Sequence, residues 1–246
     1  MEVAEYRNIY ENEGKHFFYR ANHSLFLSFI SGLRKKSRRA LKILDAGCGT
    51  GLLAKRLNKF GEVTGVDIDP RAIFYSKKRG IKVIKASIND LPLQDLTFDV
   101  VVSMDVLYHK RVDDKKALLE IYRVLKPGGL LLLRVPANPM LFSLHDKFVH
   151  TRERYTKREL LKKLAGAGFE VQKITFVNTL LFIPALLKAM FRKPKHNKSL
   201  SSIKPVPWFL NEIILRILLI ENSLLKLFSL PFGIGLFTVA KKKNIA

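Results

Sequence analysis

The 246-residue chain has a single cysteine, Cys48, so an intramolecular disulfide framework is impossible. Such a protein is typical of a reducing compartment and depends on its hydrophobic core for stability. With 48% hydrophobic residues, the chain can build that core, and its length suits one α/β domain with extra elements or a cap. The polar, acidic start MEVAEYRNIYENEGK predicts no secretory signal peptide. We therefore expect a cytoplasmic protein.

Acidic residues are also scarce, because 21 Asp and Glu stand against 44 Lys and Arg, for a net charge of +23. The basic excess is densest in residues 141–246, which hold 19 basic and 6 acidic residues. Such a field attracts anionic lipid, nucleic acid or phosphorylated substrates. A lysine-rich surface that serves solubility or heat tolerance is the alternative.

Long apolar runs are missing as well. No segment provides about 20 uncharged apolar residues, so no transmembrane helix is predicted. Two shorter apolar segments, 176–191 and 205–233, flank an acid-free basic linker, Arg192–Lys204.

On a helix, the second apolar segment would have a narrow polar stripe. The stripe comprises Glu212, Arg216, Ser223 and Lys226. The remaining apolar arc is wider than a globular surface helix requires. With the basic linker, this pattern favours either peripheral contact with an anionic membrane surface, on its inner face, or an apolar substrate tunnel. A helical cap on the sheet and a dimer interface are equally compatible with it.

The chain shows an alternation of apolar strand runs and helical segments. Strands are predicted near 41–46, 62–67, 81–85, 98–103, 129–135, 169–177 and 233–240. Helices are predicted near 51–59, 70–79, 113–125 and 157–167, after one or two helices within residues 5–34. Continuous apolar strands joined through helices predict an α/β fold with a doubly wound, mostly parallel sheet and a ligand at the carboxyl ends of its strands.

A glycine-rich loop follows the first strand in ILDAGCGTG, residues 43–51. Asp45 ends the strand, and Gly47, Gly49 and Gly51 form a tight turn into a helix. The third glycine is one residue too early for a dinucleotide fingerprint. Asp67, at the end of the next strand, is placed to accept hydrogen bonds from ribose hydroxyls. The loop therefore predicts a site for an adenosine ribose without a pyrophosphate.

Two further segments extend the pattern. LPLQDLTFDVVVSMDVLYH, residues 91–109, and LKPGGLLLLRVP, residues 125–136, follow the glycine loop in order. Together the three segments resemble the class I S-adenosylmethionine-dependent methyltransferases, and specifically a type 11-like subgroup. The resemblance covers about residues 41–136.

This resemblance implies a Rossmann-like seven-stranded sheet whose last strand is antiparallel, with S-adenosyl-L-methionine as the cofactor. Asp45 suits the cationic methionine part of that molecule. Adenine is expected near Ser87 and Ile88, with Ile68 against the ring. The expected cofactor-binding residues are Asp45, Gly47, Cys48, Gly49, Gly51, Asp67, Ile68, Ser87, Ile88 and Met104.

Two positions depart from the family pattern. Ser87 stands where the family usually has an acidic residue for the adenine amino group, although Asp90 is near. Tyr108, in DVLYH, stands where similar sequences have glutamate. If that glutamate assists chemistry in relatives, this chain lacks it.

The acceptor side is predicted from PMLFSLHDKFVHTRERYTKREL, residues 139–160, and from the N-terminal ENEGKHFFYR, residues 11–20. Both resemble segments of one methyltransferase subgroup. The candidate catalytic residues are His145, His109 and Asp146, and the candidate substrate-binding residues are His16, Tyr19, Tyr108, His150, Arg154 and Tyr155. Loop packing is the alternative for His145, and capping or packing for His109. A metal site is not predicted, because the spacing matches no common one.

The predicted organisation has four parts: an N-terminal helical cap (1–40), an S-adenosylmethionine-binding core (41–177), an apolar and basic helical insertion (178–231), and a final strand with a basic tail (232–246). The predicted function is methyl transfer to a small-molecule or lipid-linked acceptor. RNA methylation is the alternative within enzymes, although no RNA-binding module is evident. A non-catalytic S-adenosylmethionine-binding or membrane-associated interaction protein is the alternative of another class.

Overall fold

A computed structural model describes residues 3–37, 39–191 and 206–244. The basic linker Arg192–Lys204 lies outside the described residues. The helices are α1 (Val3–Asn12), α2 (Phe17–Lys36), α3 (Leu52–Leu57), α4 (Pro70–Lys78), α5 (Asp114–Val124), α6 (Leu144–Phe148), α7 (Lys157–Gly166), α8 (Phe182–Met190) and α9 (Trp208–Leu224). The strands are β1 (Leu41–Ala46), β2 (Gly61–Asp67), β3 (Lys82–Lys85), β4 (Phe98–Met104), β5 (Leu125–Pro136), β6 (Phe169–Val177) and β7 (Gly235–Lys242).

The seven strands form one sheet in the order β3-β2-β1-β4-β5-β7-β6. β1 to β5 pair in parallel, whereas β7 is antiparallel to both β5 and β6. The predicted mostly parallel sheet with an antiparallel last strand is therefore confirmed. The strand order reverses beside β1, where β2 and β4 diverge to opposite sides, and such a switch point opens a crevice for a ligand.

Both faces of the central strands are buried. Leu44, Val101 and Leu131 point into one core cluster, and Ile43, Val102 and Leu132 into the other. The alternate residues of each strand thus pack on opposite sides of the sheet. This is why the central strands are continuous apolar runs in the sequence.

Two strands, β5 and β7, differ from the predictions by more than one residue. β5 begins at Leu125 instead of near 129, because the LKPGG turn itself pairs with β4 and the register shifts between Phe98 and Val100. β7 begins at Gly235 and ends at Lys242, two residues later than predicted. Before it, Gly233 lies against the backbone of Val177, where a Cβ would be only 2.4 Å from the carbonyl oxygen.

The insertion packs on the N-terminal helices. Leu215 and Leu218 of α9 lie with Ala21 of α2 in a small buried cluster. The Asn222 side-chain amide donates to the Ala21 carbonyl at 2.8 Å, and the Asn211 side chain accepts from the Phe17 backbone N–H at 2.8 Å. The two segments that the sequence placed far apart therefore form one packed layer at the carboxyl end of the sheet. No helix of the described residues is both long and apolar enough to cross a bilayer.

Candidate active site

A cavity of about 890 Å³ lies at the carboxyl ends of β1, β2, β4 and β5. Its floor is formed by the loops that follow these strands, and α1 and α2 cover it from the N-terminal side. Part of its walls comes from α6, from α8 and from Val206, two residues before α9. The volume lies in the range usual for small-molecule sites. The location agrees with the strand-end site that the sequence predicted.

The glycine loop between β1 and α3 turns tightly and lies close to its neighbouring side chains. Gly47 and Gly51 have φ of 84° and 80°, values that favour glycine. A Cβ on Gly47 would lie 2.3 Å from the Val106 side chain, and one on Gly51 would lie 2.7 Å from Ser76 Oγ. A Cβ on Gly49 would meet nothing within 4 Å, so the space over the middle of the loop is open. Gly51 was predicted to bind the cofactor, but it does not line the cavity; its left-handed backbone shapes the loop.

Asp67 ends β2 and holds the glycine loop in place. One carboxylate oxygen accepts the Gly49 N–H at 2.9 Å, and the other accepts the Asp69 N–H at 2.9 Å. Burial raises the pKa of Asp67 above its usual range, while these backbone hydrogen bonds lower it in part. Each oxygen has a further lone pair, which can accept from a ligand hydroxyl.

Asp45 ends β1 and is buried in the floor of the cavity. Burial, reinforced by the nearby Asp67 and Glu13 carboxylates, raises the pKa of Asp45 to about 7. Its Oδ2 has no hydrogen-bond partner among the described residues. A buried acceptor without a partner costs free energy unless a donor arrives. A cationic group that donates hydrogen bonds would satisfy it.

The first helix closes the cofactor end of the cavity. Glu13, after α1, contacts both the Thr50 hydroxyl of the glycine loop and the Arg79 guanidinium after α4. Arg79 also donates to the Tyr10 carbonyl at 2.8 Å and lies over the Tyr10 ring at 4.3 Å from its centroid. The ion pair is almost fully buried, so removing one partner would leave an unpaired buried charge. α1 is therefore tied to the glycine loop.

The predicted adenine end is formed by the ends of β2 and β3. Ile68, Ser87 and Ile88 all line the cavity, and Ile68 is 46% exposed despite its apolar side chain. The Ser87 hydroxyl accepts the Asn89 N–H at 3.1 Å within its own turn. An exposed branched apolar side chain here offers a flat contact for an aromatic ring. Whether Ile68 contacts adenine stays a prediction.

On the acceptor side, His145, Asp146 and Arg154 all line the cavity. The Asp146 carboxylate is fully engaged. It accepts from the Ser143 backbone N–H at 2.7 Å, from the Ser143 hydroxyl at 2.8 Å and from Arg154 Nε at 3.0 Å. It thereby caps α6 and anchors Arg154. These contacts position α6, which carries His145; the catalytic role of Asp146 stays a prediction.

His109 lines the cavity next to the loop after β4. Its Nδ1 accepts the Arg111 backbone N–H at 3.3 Å, which places the proton of the neutral ring on Nε2. Burial, together with the nearby His150, lowers the pKa of His109 to about 4, so the ring is neutral at pH 7. In this tautomer Nδ1 is engaged and Nε2 carries the proton; the predicted role of His109 as a base stays a prediction.

Two predicted substrate contacts are wrong. Tyr155 is fully buried outside the cavity, where its hydroxyl donates to Asp114 at 2.8 Å and its ring packs in the core. Its neighbour in sequence, Arg154, points to the cavity, because successive residues in extended backbone face opposite ways. His150 does not line the cavity either; its ring lies behind His109, with the centroids 5.9 Å apart.

The N-terminal helices supply the other aromatic walls. His16, Tyr19 and Tyr108 line the cavity as predicted. His16 also caps α2, since its Nδ1 accepts the Phe18 N–H at 3.2 Å. Burial lowers the pKa of His16 and raises that of Tyr108, so both rings are uncharged at neutral pH.

Among the lining residues that sequence reasoning missed are a buried histidine and a buried arginine. His23, on α2, is fully buried and neutral, because burial lowers its pKa to about 3. Arg134, on β5, is 3% exposed, forms an ion pair with Asp105 after β4, and donates to the Asn178 side chain at 3.1 Å. A charged residue within the apolar run LLLLRVP was a usable signal for Arg134. The apolar helix around His23 gave none.

Cys48 is a structural part of the loop. Its thiol is 8% exposed and lies 3.6 Å from Ser76 Oγ. Burial raises the pKa of the thiol, and the Asp45 carboxylate raises it further. A thiol with a raised pKa is a poor nucleophile at neutral pH. Among the described residues no group of three or more His, Cys, Asp or Glu side chains is arranged to hold a metal ion.

The cofactor end fits S-adenosyl-L-methionine. Asp45 Oδ2, which has no partner among the described residues, suits a cationic ammonium that donates a hydrogen bond, and Asp67 retains acceptor capacity for ribose hydroxyls. The open space over Gly49 leaves room for the ligand between them. A dinucleotide pyrophosphate would instead meet these buried carboxylates, which are destabilised by a further negative charge.

Comparison with known proteins supports this fit. The family model described as a methyltransferase domain matches residues 44–133. A protein of Mycolicibacterium smegmatis, described as a probable S-adenosylmethionine-dependent methyltransferase, is 34% identical over 137 residues, which cover 53% of this chain and 52% of the relative. A demethylmenaquinone methyltransferase of Staphylococcus aureus is 32% identical over 127 residues, which cover 46% of this chain and 52% of the relative. The chain thus spans about half the length of the curated relatives it matches.

Solved structures share the fold at lower identity. A methyltransferase of Thermotoga maritima has a TM-score of 0.57 and 21% identity, and the match covers 98% of this chain and 96% of that one. A geranyl diphosphate methyltransferase, in complex with GPP and sinefungin, has a TM-score of 0.57 and 14% identity, over 88% and 77% of the two chains. A [4+2]-cyclase has a TM-score of 0.56 and 20% identity, over 90% and 82%. The fold alone therefore does not decide the reaction. The ordered motifs of residues 44–133, the sheet order and the carboxylates at the ends of β1 and β2 are those of a class I S-adenosylmethionine-dependent methyltransferase domain, which this part of the chain therefore resembles.

Proposed function

We propose that the chain transfers a methyl group from S-adenosyl-L-methionine to an apolar small-molecule or lipid-linked acceptor. One observation carries the proposal: the cavity continues from the polar cofactor end into a region with largely apolar walls. These walls include Phe17, Phe18, Leu141, Phe142, Ala185 and Ala189. An apolar pocket with a few polar groups binds a small apolar ligand and fixes its orientation.

The reaction requires little chemistry from the protein. When bound, S-adenosyl-L-methionine would supply an electrophilic methyl carbon, with its sulfur as the leaving group that keeps the electron pair of the carbon–sulfur bond. The protein contributes by holding the two reactants in line, which alone can supply much of the rate. A base is required only if the acceptor must lose a proton.

The side chains around the cavity have distinct proposed tasks. Asp67 binds the ribose, and Asp45 binds the cationic methionine part. His145, at the acceptor end, is the proposed base if the acceptor is a hydroxyl. His109 donates from Nε2 to an acceptor oxygen. The buried Arg134–Asp105 pair keeps the ends of β4 and β5 aligned beneath the acceptor.

The acceptor class has indirect support from relatives. The Staphylococcus aureus relative is named for demethylmenaquinone, and one structural neighbour is named for geranyl diphosphate. These names support a small, lipid-like acceptor. The apolar walls of the cavity likewise favour such a molecule over a polynucleotide, which would need stacking platforms and basic grooves.

The test is a labelling experiment. The purified chain is incubated with isotopically labelled S-adenosyl-L-methionine and, in parallel, with apolar extracts, polar extracts and total RNA of the source cells. We expect label in a product of the apolar extract, with an Asp45→Asn, Asp67→Ala double variant as the inactive control. Label confined to RNA would replace the proposed acceptor with the alternative one. Cofactor binding without label in any fraction would favour the non-catalytic alternative.

A further inference from the structure

The outward face of α9 is apolar instead of polar. Phe209, Ile213, Ile217, Ile220 and Leu224 follow each other at spacings of three or four residues and are 40–62% exposed. Residues at this spacing form one continuous stripe along a helix. A helix at the surface of a globular protein normally carries its charged side chains on this face.

The stripe continues into neighbouring segments. At one end of α9, Trp208 is 79% exposed; after the other end, Leu227 is 75% exposed. α8 exposes a second set, which comprises Ile183, Leu187, Met190 and Phe191. We call this combined surface of α8, α9 and the residues up to Phe228 the outer apolar surface. Large apolar patches of this kind on soluble proteins mark contact with a partner or a membrane.

The orientation of α9 is fixed, so this surface cannot turn inward. Leu215, Leu218 and Leu225 of the opposite face are buried. The buried Glu221 carboxylate accepts the backbone N–H groups of Asn178 and Thr179, at 2.5 and 3.0 Å. The α9 helix is therefore apolar on both faces, with one face used for packing and the other left exposed.

Charge indicates the kind of partner. The two acidic residues of α9 are engaged, because Glu212 pairs with Arg20 and Glu221 is buried. The exposed charges next to the stripe are basic, at Arg216 and Lys226. In the sequence, the segment 192–204 that joins the two helices has five Lys or Arg residues and no acidic residue. A second copy of a chain with net charge +23 would be repelled, whereas an anionic surface would be attracted.

The same elements wall the acceptor end of the cavity. Ala185 and Ala189 of α8, and Val206 before α9, line it from the inside. The exposed residues of α8 and α9 lie on the same two elements. A surface that holds these helices would therefore also lie beside the cavity wall.

We propose that the outer apolar surface docks α8 and α9 flat on an anionic lipid bilayer, with Trp208 and Phe209 among the inserted side chains and the basic residues at the headgroups. Apolar side chains that enter the boundary between headgroups and acyl chains, combined with basic residues, give reversible interfacial binding. Trp is favoured at this depth. This inference goes beyond the proposed function, since docking does not depend on which acceptor is methylated.

The test measures co-sedimentation of the full chain with phosphatidylcholine vesicles that do or do not contain phosphatidylglycerol, at low and high salt. We expect binding to the phosphatidylglycerol vesicles, weakened by salt. The triple variant Ile213→Gln, Ile217→Gln, Ile220→Gln should bind about 1,000-fold more weakly, because each of the three isoleucines contributes roughly ten-fold. The matched control, Phe74→Gln with Leu119→Gln, removes exposed apolar side chains from α4 and α5 and should bind as wild type does.

Folding and oligomerisation are checked on the same samples by circular dichroism and sedimentation velocity. A second variant, Arg216→Glu with Lys226→Glu, leaves the apolar stripe intact and should weaken binding to anionic vesicles alone. Unchanged vesicle binding by the folded triple variant, or by the charge-reversed one, would overturn the proposal. A wild-type dimer that does not bind vesicles, and that dissociates when the three isoleucines are replaced, would also overturn the proposal. The outer apolar surface would then contact a second copy of the chain. Loss of docking with intact cofactor binding would leave the methyl-transfer proposal standing.

Discussion

The carboxylates of Asp45 and Asp67 differ in their hydrogen-bond partners. Asp67 already accepts two backbone N–H groups, whereas Asp45 has an oxygen without a partner among the described residues. Asp67 therefore holds the loop, and we expect it to accept from the ligand as well, whereas we expect Asp45 Oδ2 to accept a hydrogen bond from the ligand alone. This division predicts different effects of substitution at the two positions.

Replacing Asp67 with alanine should weaken S-adenosyl-L-methionine binding. The ribose hydroxyls lose their acceptor, at a cost of about 1–3 kcal/mol, which is roughly 5- to 150-fold in Kd. Isothermal titration calorimetry measures the change, and Asp95→Ala, an exposed carboxylate remote from the cavity, is the control. An unchanged Kd for a folded Asp67→Ala protein would contradict the assigned ribose contact.

The affinity for S-adenosyl-L-methionine should depend on pH through Asp45. Its pKa of about 7 means that the carboxyl is largely protonated below pH 7, and a cationic ligand favours the ionised form. Binding thus lowers the pKa of Asp45 and releases a proton, so the affinity rises with pH up to about 7 and then levels off. Calorimetry in two buffers of different ionisation enthalpy measures the released proton. Asp45→Asn should bind more weakly, and its affinity should not depend on pH in this range. A wild-type affinity that stays constant between about pH 5.5 and about pH 8 would contradict the proposed contact between Asp45 and the ligand.

His145 remains the candidate base on the acceptor side. If the acceptor is a hydroxyl, His145→Ala should reduce kcat by roughly 10²–10⁴-fold, since this is what a general base contributes. S-adenosyl-L-methionine affinity should hardly change. Steady-state kinetics with the acceptor found in the labelling experiment test this. Equal turnover in both proteins would assign His145 a packing role and leave positioning as the source of the rate.

Among the secondary-structure elements, the helices that pack around the sheet help to form the cavity. α1 is tied to the glycine loop through Glu13 and Arg79, and α9 is tied to α2 through Leu218 and Asn222. The N-terminal cap and the insertion, predicted as separate parts, therefore share one buried contact. This contact, together with the loop, encloses the cavity.

Leu218 should be essential to the packing of α9, and its exposed neighbour Ile220 should not. Leu218→Ala leaves a cavity between α9 and α2, which costs about 2–5 kcal/mol of the free energy of unfolding. Ile220→Ala, on a side chain that is 62% exposed, should change it by no more than about 0.5 kcal/mol. Urea denaturation of both variants provides the comparison. Similar losses in the free energy of unfolding for the two variants would contradict the described packing of α9.

For the whole molecule, the cofactor connects parts that are distant in sequence. The cavity is lined by α1, α2, the strand ends and α8, so a ligand inside it contacts segments from both ends of the chain. The folded state binds the ligand and the unfolded chain does not. Binding should therefore stabilise the protein as one unit.

S-adenosyl-L-methionine at about 100 times its Kd should add about 2.7 kcal/mol to the free energy of unfolding. In a chain of this size, this corresponds to a rise in Tm of roughly 5–11 °C. Differential scanning calorimetry measures it, with NAD as the negative control. An equal rise with NAD would contradict the assignment of the glycine loop.

The sequence already predicted much of the cofactor end. Asp45, Asp67 and the glycine loop are consecutive in strand–turn–helix units, and the local geometry of such a unit places its residues at the strand end whatever else the chain does. The sheet was predictable for the same reason, since its strands are apolar runs bounded by turns. β6 was predicted with its observed limits, Phe169–Val177.

The acceptor side was decided by tertiary packing. Tyr155 and Arg154 are adjacent in sequence, but one enters the core and the other the cavity. His23 lines the cavity only because α2 crosses the sheet ends, and Leu218 is buried only because α9 packs on α2. The sequence pattern of α9 predicted a wide apolar arc but did not indicate which of its leucines face inward.

The sequence by itself thus predicted the resemblance to the methyltransferases, the sheet and the cofactor loop, because these rest on local strand and turn patterns. Only the tertiary structure decided which histidines and arginines reach the cavity, and which face of α9 is left exposed. Those contacts join residues up to about 200 positions apart, as Ala21 and Asn222 are. Periodicity along one element carries no information about such pairs, since it describes one face and not the element that will cover it.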